Sequence, residues 1–124
     1  MSAPYTPVVR AGEWIIVSGQ IGLGPDGLGD GFEAQLTIVL ANLKRLVESA
    51  GATLSQVAKT TVFLTNLPGD YPALNELYTA FFAEHAGDHR PSRSAIGVAA
   101  LPFDAVVEIE AWVMAGPGGV SAAG

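Results

Sequence analysis

Short β-rich apolar runs lie towards both ends of this chain and a helical three-and-four spacing lies between them, and each change of pattern marks an element. Val8 to Arg10 reads as a short extended run and Ala11-Gly12 as a turn. Trp14-Ile15-Ile16-Val17 is β-rich and ends at Ser18-Gly19-Gln20, so 8–20 predicts a hairpin. The stretch 22–31 holds five glycines, Pro25 and two aspartates, which marks a loop. Phe32, Leu36, Val39, Leu40, Leu43, Leu46 and Val47 then form one helical stripe. Asp30 lies three positions before Glu33, a capping-box spacing that predicts the start of this helix. Gly51 falls where a left-handed C-terminal cap belongs.

Thr53 and Gln56 predict a short capped turn before the β-branched strand Val57 to Leu64. Asp70 is expected to cap a second helix that carries Leu74, Leu77, Tyr78, Phe81 and Phe82 on one side. Residues 86–91 read as a loop. Ser92 to Val98 and Val106 to Met114 read as the last two strands, with Leu101-Pro102-Phe103 turning between them. The tail from Gly116 lacks a core-forming pattern, so 1–115 is expected to be one domain and 116–124 a flexible end.

The order β-β-α-β-α-β-β predicts an α+β domain with both helices on one face of the sheet. The other face then needs cover, and no third layer is encoded. Composition sharpens this: of 124 residues, 49% are hydrophobic and only 15% charged, little charge for the large surface of a small monomer. A homo-oligomer is therefore expected.

Six Lys and Arg face twelve Asp and Glu, a net charge of −6, which argues against nucleic-acid binding, where basic patches supply most of the affinity. The absence of cysteine excludes disulfides, thiolate chemistry and Cys-based zinc sites. The opening Met1-Ser2-Ala3-Pro4-Tyr5 has neither the charged nor the apolar region of a signal peptide, and no apolar stretch reaches bilayer-spanning length. The expectation is a cytoplasmic protein that binds no membrane.

Candidate chemistry centres on Arg93 and Glu108. Arg93 stands between a proline-bearing loop and the apolar run 95–101, and Glu108 lies inside the apolar run 106–113. A guanidinium holds a carboxylate bidentately, and a carboxylate orients or deprotonates water. Together they suggest hydrolysis of a small carboxylic acid. Antiparallel pairing of the last two strands is expected to bring the two groups together, with a plain salt bridge as the bland alternative. Glu108 and Glu110 share a strand face with Trp112 and Met114.

Two other patterns carry less. Gly22-x-Gly24-x-x-Gly27 matches a dinucleotide fingerprint, but Pro25 removes an amide, Asp26 and Asp30 repel phosphate, and the helix begins beyond the motif. His85 and His89 have a zinc-like spacing but no third ligand, and read as solvated loop histidines.

Several segments resemble the Rid (YjgF) family of reactive-intermediate imine deaminases: Pro4-Tyr5, Val17-Ser18-Gly19-Gln20-Ile21, Ala34-Gln35, Ala50-Gly51-Ala52, Lys59 to Leu64, Asn75-Glu76-Leu77-Tyr78, Phe81-Phe82, Pro91-Ser92-Arg93-Ser94, Val98 to Pro102 and Glu108 to Ala111. The resemblance runs from Pro4 to Val113. It implies a chorismate-mutase-like α+β fold assembled as a homotrimer, with sites in clefts between subunits and no metal or organic cofactor. It also implies that Arg93 clamps the carboxylate of a small-molecule substrate and that Glu108 positions the attacking water. Tyr5 would close over the ligand, with Ser18, Gly19, Asn75 and Ala95 in or near the pocket.

Departures from the family pattern fall at Thr6-Pro7, where a polar Ser-Gln pair is common, at Ser92, usually alanine, and at Ala95, often cysteine. His89 and Arg90 precede the arginine, where a second cation could alter substrate choice. The implied reaction is hydrolysis of 2-aminoacrylate- or 2-aminocrotonate-type enamines, or their 2-imino acid tautomers, to a 2-keto acid and ammonia. The alternatives are a non-catalytic trimeric binder of keto or amino acids, or a pathway-specific Rid-like hydrolase. A family-associated ribonuclease activity is disfavoured by the missing basic patch.

Overall fold

The computed structural model describes residues 3–124, so Met1 and Ser2, the first residues of the leader reading and of the 1–115 domain, lie outside the described residues. Seven strands and two helices follow in chain order: β1 Val8–Ala11, β2 Trp14–Ile21, β3 Leu23–Gly24, β4 Gly27–Leu28, α1 Phe32–Ser49, β5 Val57–Leu64, α2 Leu67–Ala86, β6 Ser92–Gly97 and β7 Val107–Met114. The main sheet has the order β1-β2-β7-β5-β6, and β3 and β4 form a separate small hairpin inside the predicted loop. That hairpin turns at Pro25-Asp26, so the glycine-rich stretch is a β-turn structure and not a phosphate cradle.

Both helices cover one sheet face, as the patterning predicts. Ile15 and Val17 of β2, Val62 and Leu64 of β5, and Val107, Ile109, Ala111 and Val113 of β7 are buried against Leu36, Val39, Leu40, Leu43 and Val47 of α1 and Leu74, Tyr78 and Phe82 of α2. Each large aliphatic side chain removed from water stabilises the fold by about 1.5–3 kcal/mol. Among the described residues no layer covers the opposite face. It presents Val9, Trp14, Ile96 and Trp112, and the two indoles pack edge-to-face at 5.9 Å.

Helix starts differ from expectation. Asp30 does not cap α1. Its N-cap is Gly31, at φ +90°, a backbone state closed to a helpful side-chain cap. Asp70 does not cap α2. Asn66 does, accepting the Gly69 amide at 3.4 Å, and Asp70 sits in the first turn. The helix begins a turn early because Pro68 fits its first turn, and Pro72 is carried inside it. The remaining punctuation matches: Gly51 follows α1 at φ +88°, and the Thr53 amide donates to Gln56 Oε1 at 2.9 Å.

The last two strands correct the pairing expected from sequence. β6 pairs with β5 alone, in parallel, with Thr60 opposite Arg93. β7 instead inserts between β2 and β5, antiparallel to both. Because α2 returns the chain to the end where β5 began, β6 must run parallel to it. A polar strand with mixed exposure then suits the edge, and the fully buried inner face of β7 suits the centre.

Gln35 ties this centre together. It is 4% exposed, its Nε2 donates to Gly29 O at 3.0 Å, and its Oε1 accepts the Val106 amide at 2.9 Å, just before β7. Gln35→Leu strands both backbone groups and is expected to cost about 1–3 kcal/mol. A lower denaturant midpoint at fixed protein concentration is the expected result; an unchanged midpoint contradicts this role.

Candidate active site

The sites predicted from sequence fall into two groups on opposite faces of one sheet. Val107 and Ile109 point into the helical layer, so the intervening Glu108 faces the uncovered side. Arg93 shares the face of its parallel neighbour Thr60, whose side chain is buried under α2. The expected meeting of Arg93 and Glu108 through strand pairing therefore does not occur within one chain. β5 lies between them, and they point in opposite directions.

The first group surrounds Glu108. The β2–β7 register shifts between Val17 and Gln20, a bulge at Ser18-Gly19. The Glu108 carboxylate lies so close over Gly19 that any Cβ there would collide with its Oε2. Glycine lets the carboxylate lie this close; a larger residue would push the Glu108 side chain aside. The Ser18 amide and hydroxyl donate to Pro7 O at 2.8 Å and Thr6 O at 2.7 Å. They strap the segment bearing Tyr5 across the bulge. Pro7 precedes β1, where its missing amide costs nothing, and its carbonyl accepts from Ser18. A cleft of about 530 Å³ results, walled by Tyr5, Ser18, Gly19, Glu108, Arg45 and Phe103 among others.

Burial raises the pKa of Glu108 first, and the like charge of Glu110 raises it further. The group therefore stays protonated to a higher pH than an ordinary glutamate, and once ionised it is the stronger base.

The second group surrounds Arg93. Nη2 donates to Asn75 Oδ1 at 2.7 Å, and the guanidinium lies over the Tyr78 ring at 5.0 Å and the Tyr71 ring at 5.7 Å. Tyr71, Asn75 and Tyr78 sit four and three residues apart, one stripe of α2. The Tyr78 hydroxyl meets Thr60 Oγ1 at 2.6 Å. Burial raises its pKa, against the Thr60 hydrogen bond and the charges of Arg93 and Arg90. It therefore remains a neutral prop. Among the described residues, Arg93 makes no ion pair. Beside it opens a second cavity of about 560 Å³, walled by Leu67, Pro68, Tyr71, Pro72, Arg93 and Ala95.

The remaining candidates resolve locally. His85 is still within α2, and His89 is a part-buried loop residue whose Nε2 lies 2.7 Å from Val57 O. Among the described residues no group of three or more His, Asp or Glu could hold a metal ion. Arg90 is spent on the loop itself, donating to Gly87 O and His89 O, each at 2.8 Å. Among the described residues no helix is long and apolar enough to cross a membrane.

Sequence reading did not single out Tyr71, Arg45 or Phe103, and took Tyr78 for core alone. The α2 stripe was a readable signal for Tyr71, since it leads through Asn75 to Tyr78. Replacing Glu110 by Gln removes the like charge beside Glu108. The Glu108 carboxyl, followed by its chemical shift, is then expected to titrate at lower pH; no change would remove Glu110 as a cause.

Comparison with known proteins agrees in sequence and in shape. Residues 1–115 match the family described as Endoribonuclease L-PSP. A 2-iminobutanoate/2-iminopropanoate deaminase of Salmonella typhimurium is 41% identical over 110 residues, 87% of this chain and 84% of that protein. A RutC family protein of Pyrococcus abyssi is 38% identical over 112 residues, with the same shares covered. Among solved structures, E. coli TdcF with bound serine superposes with a TM-score of 0.85 at 36% identity, covering 92% of this chain and 90% of that one. The E. coli YjgF gene product gives 0.84 at 41% identity, covering 90% and 87%. On the match over residues 1–115 and these identities, the chain belongs to the Rid (YjgF) family.

Proposed function

We propose that this protein hydrolyses 2-imino acids, or their enamine tautomers, to 2-keto acids and ammonia, at a site completed between two copies of the chain. The observation that carries the reading is the split of its chemistry. A guanidinium without a carboxylate partner stands on one sheet face, and a carboxylate of raised pKa lines a cleft on the other. The uncovered apolar face, with Trp14, Trp112, Val9 and Ile96, supplies a surface for association. The deaminase name of the Salmonella relative and the serine bound to TdcF support a small amino-acid-like ligand. The family-typical homotrimer is the proposed assembly, with Arg93 from one protomer facing Glu108 from its neighbour.

In this mechanism the substrate carboxylate docks on Arg93, held in place by Asn75 and the two tyrosine rings. Ionised Glu108 accepts a proton from water as the water oxygen bonds to the imine carbon. Glu108 returns that proton to the imine nitrogen to give a carbinolamine, then carries the hydroxyl proton to the same nitrogen as the C–N bond breaks, the C=O bond forms, and ammonia leaves. Tyr5 and the Ser18-Gly19 bulge wall the cleft in which this occurs. Ala95 lies beside Arg93 and supplies space without a reactive group. Burial and the Glu110 charge raise the Glu108 pKa, which makes its carboxylate a stronger base once ionised. An endoribonuclease reading fits the molecule less well, because a net charge of −6 repels a polyanion.

The test generates 2-aminoacrylate and 2-aminocrotonate in situ with a pyridoxal-dependent dehydratase acting on serine or threonine, and measures keto-acid release above the spontaneous rate. Wild type is expected to accelerate release. Arg93→Ala should lower kcat/KM about 10- to 100-fold, the loss of a charged hydrogen-bonded anchor. Glu108→Gln should lower kcat about 100-fold or more, the loss of a general base. Equal rates for all three and the blank would remove the assignment. Tight keto-acid binding without turnover would identify a binding protein instead.

A further inference from the structure

We infer that this protein favours imino acids with large apolar or aromatic side chains, and that Phe103 is the residue that receives them. The inference rests on the hydrolytic reading above and adds a substrate class to it. Phe103 is 74% exposed, the largest value among the exposed large apolar side chains of a chain whose other phenylalanines are better covered. It sits in the turn Pro102–Asp104, where both Phe103 and Asp104 have φ +60°. Two successive non-glycine residues in the left-handed region are costly, and Gly or Asn would relieve the strain. The turn is closed by the Ala105 amide donating to Pro102 O at 3.1 Å. A strained backbone thus holds a phenyl ring in solvent.

Its position gives that arrangement a use. Phe103 lines the same cleft as Glu108, with Tyr5, Ile21, Leu23 and Leu46 as further apolar wall. In the single chain this open cleft measures about 530 Å³, room for a side chain larger than the methyl or ethyl group of a three- or four-carbon imino acid. A substrate anchored on a partner's Arg93 and attacked beside Glu108 has its side chain as the one part free to occupy this space. Each methylene accepted by an apolar pocket raises kcat/KM by roughly 10-fold or more. Arg45 also lines the cleft, and its hydrogen bond is a long one to Asn42 Oδ1 at 3.4 Å, so an acidic side chain is the competing guest.

Imines are generated in situ from alanine, leucine, phenylalanine and glutamate by amino-acid oxidases, and hydrolysis is compared for wild type, Phe103→Ala and Phe103→Tyr. The wild type is expected to favour the phenylalanine- and leucine-derived imines over 2-iminopropanoate by about 10-fold or more in kcat/KM. Phe103→Ala should lower kcat/KM for the large imines at least about 10-fold more than for 2-iminopropanoate, mainly through KM, and Phe103→Tyr should restore the ratio. An unchanged ratio in Phe103→Ala, or preference for the glutamate-derived imine lost in Arg45→Ala, overturns the inference. So does sedimentation showing that Phe103→Ala dissociates the assembly and lowers all rates alike. If no imine is hydrolysed, the deaminase reading falls. Calorimetry with phenylpyruvate and pyruvate then decides the side-chain claim by itself: tighter phenylpyruvate binding that Phe103→Ala abolishes sustains it, and equal affinities end it.

Discussion

Insertion of β7 between β2 and β5 is the constraint on which the rest of the molecule depends. The last strand of the chain becomes a central one, so its inner residues Val107, Ile109, Ala111 and Val113 are sealed under the helices. Its outer residues, Glu108 among them, face the uncovered side. The same insertion leaves β6 at the edge with β5 as its single neighbour, and turns Arg93 beneath α2. One topological event therefore separates the two groups proposed to carry hydrolysis. It also leaves an apolar sheet face that a further copy can cover.

Among the described residues neither Arg93 nor Glu108 has an ion-pair partner. Arg93 is oriented by Asn75, Tyr71 and Tyr78, none of which neutralises it. Glu108 is pressed over Gly19 and beside Glu110, where ionisation is disfavoured. An unpaired cation on a propped stalk and a reluctant anion in a cleft contribute little to the stability of a lone protomer. On the proposed reading both act when a second chain brings them to an anionic substrate, in a crevice where charges interact more strongly than in water.

Much of this was legible in the sequence, and the failures have local causes. The helical stripe from Phe32 to Val47 and the β-branched run Val57–Leu64 specified elements that local pattern and propensity resolve. The misassigned caps came from rules that consider side chains but not competing backbone states: Gly31 adopts φ +90°, and Pro68 draws the start of α2 back to Asn66. Strand adjacency was illegible because the 92–98 and 106–114 runs are consecutive in sequence, and nothing local records that β5 takes the place between β6 and β7. Asn75 was placed near the pocket through family resemblance, and the structure supplies its contact with Arg93. Phe103 gave no signal, since a turn residue shows its strain only in its dihedral angles.

Joining the halves across chains has a direct consequence for mixtures of two damaged proteins. Arg93→Ala and Glu108→Gln chains, each nearly inactive alone, are co-expressed in equal amounts so that they assemble at random. In any closed ring where each site takes one group from each of two neighbours, about a quarter of the sites are then intact. Recovery of imine hydrolysis to about that fraction of wild type is the expected result for sites shared between subunits. Activity no greater than the sum of the two separate variants would contradict it.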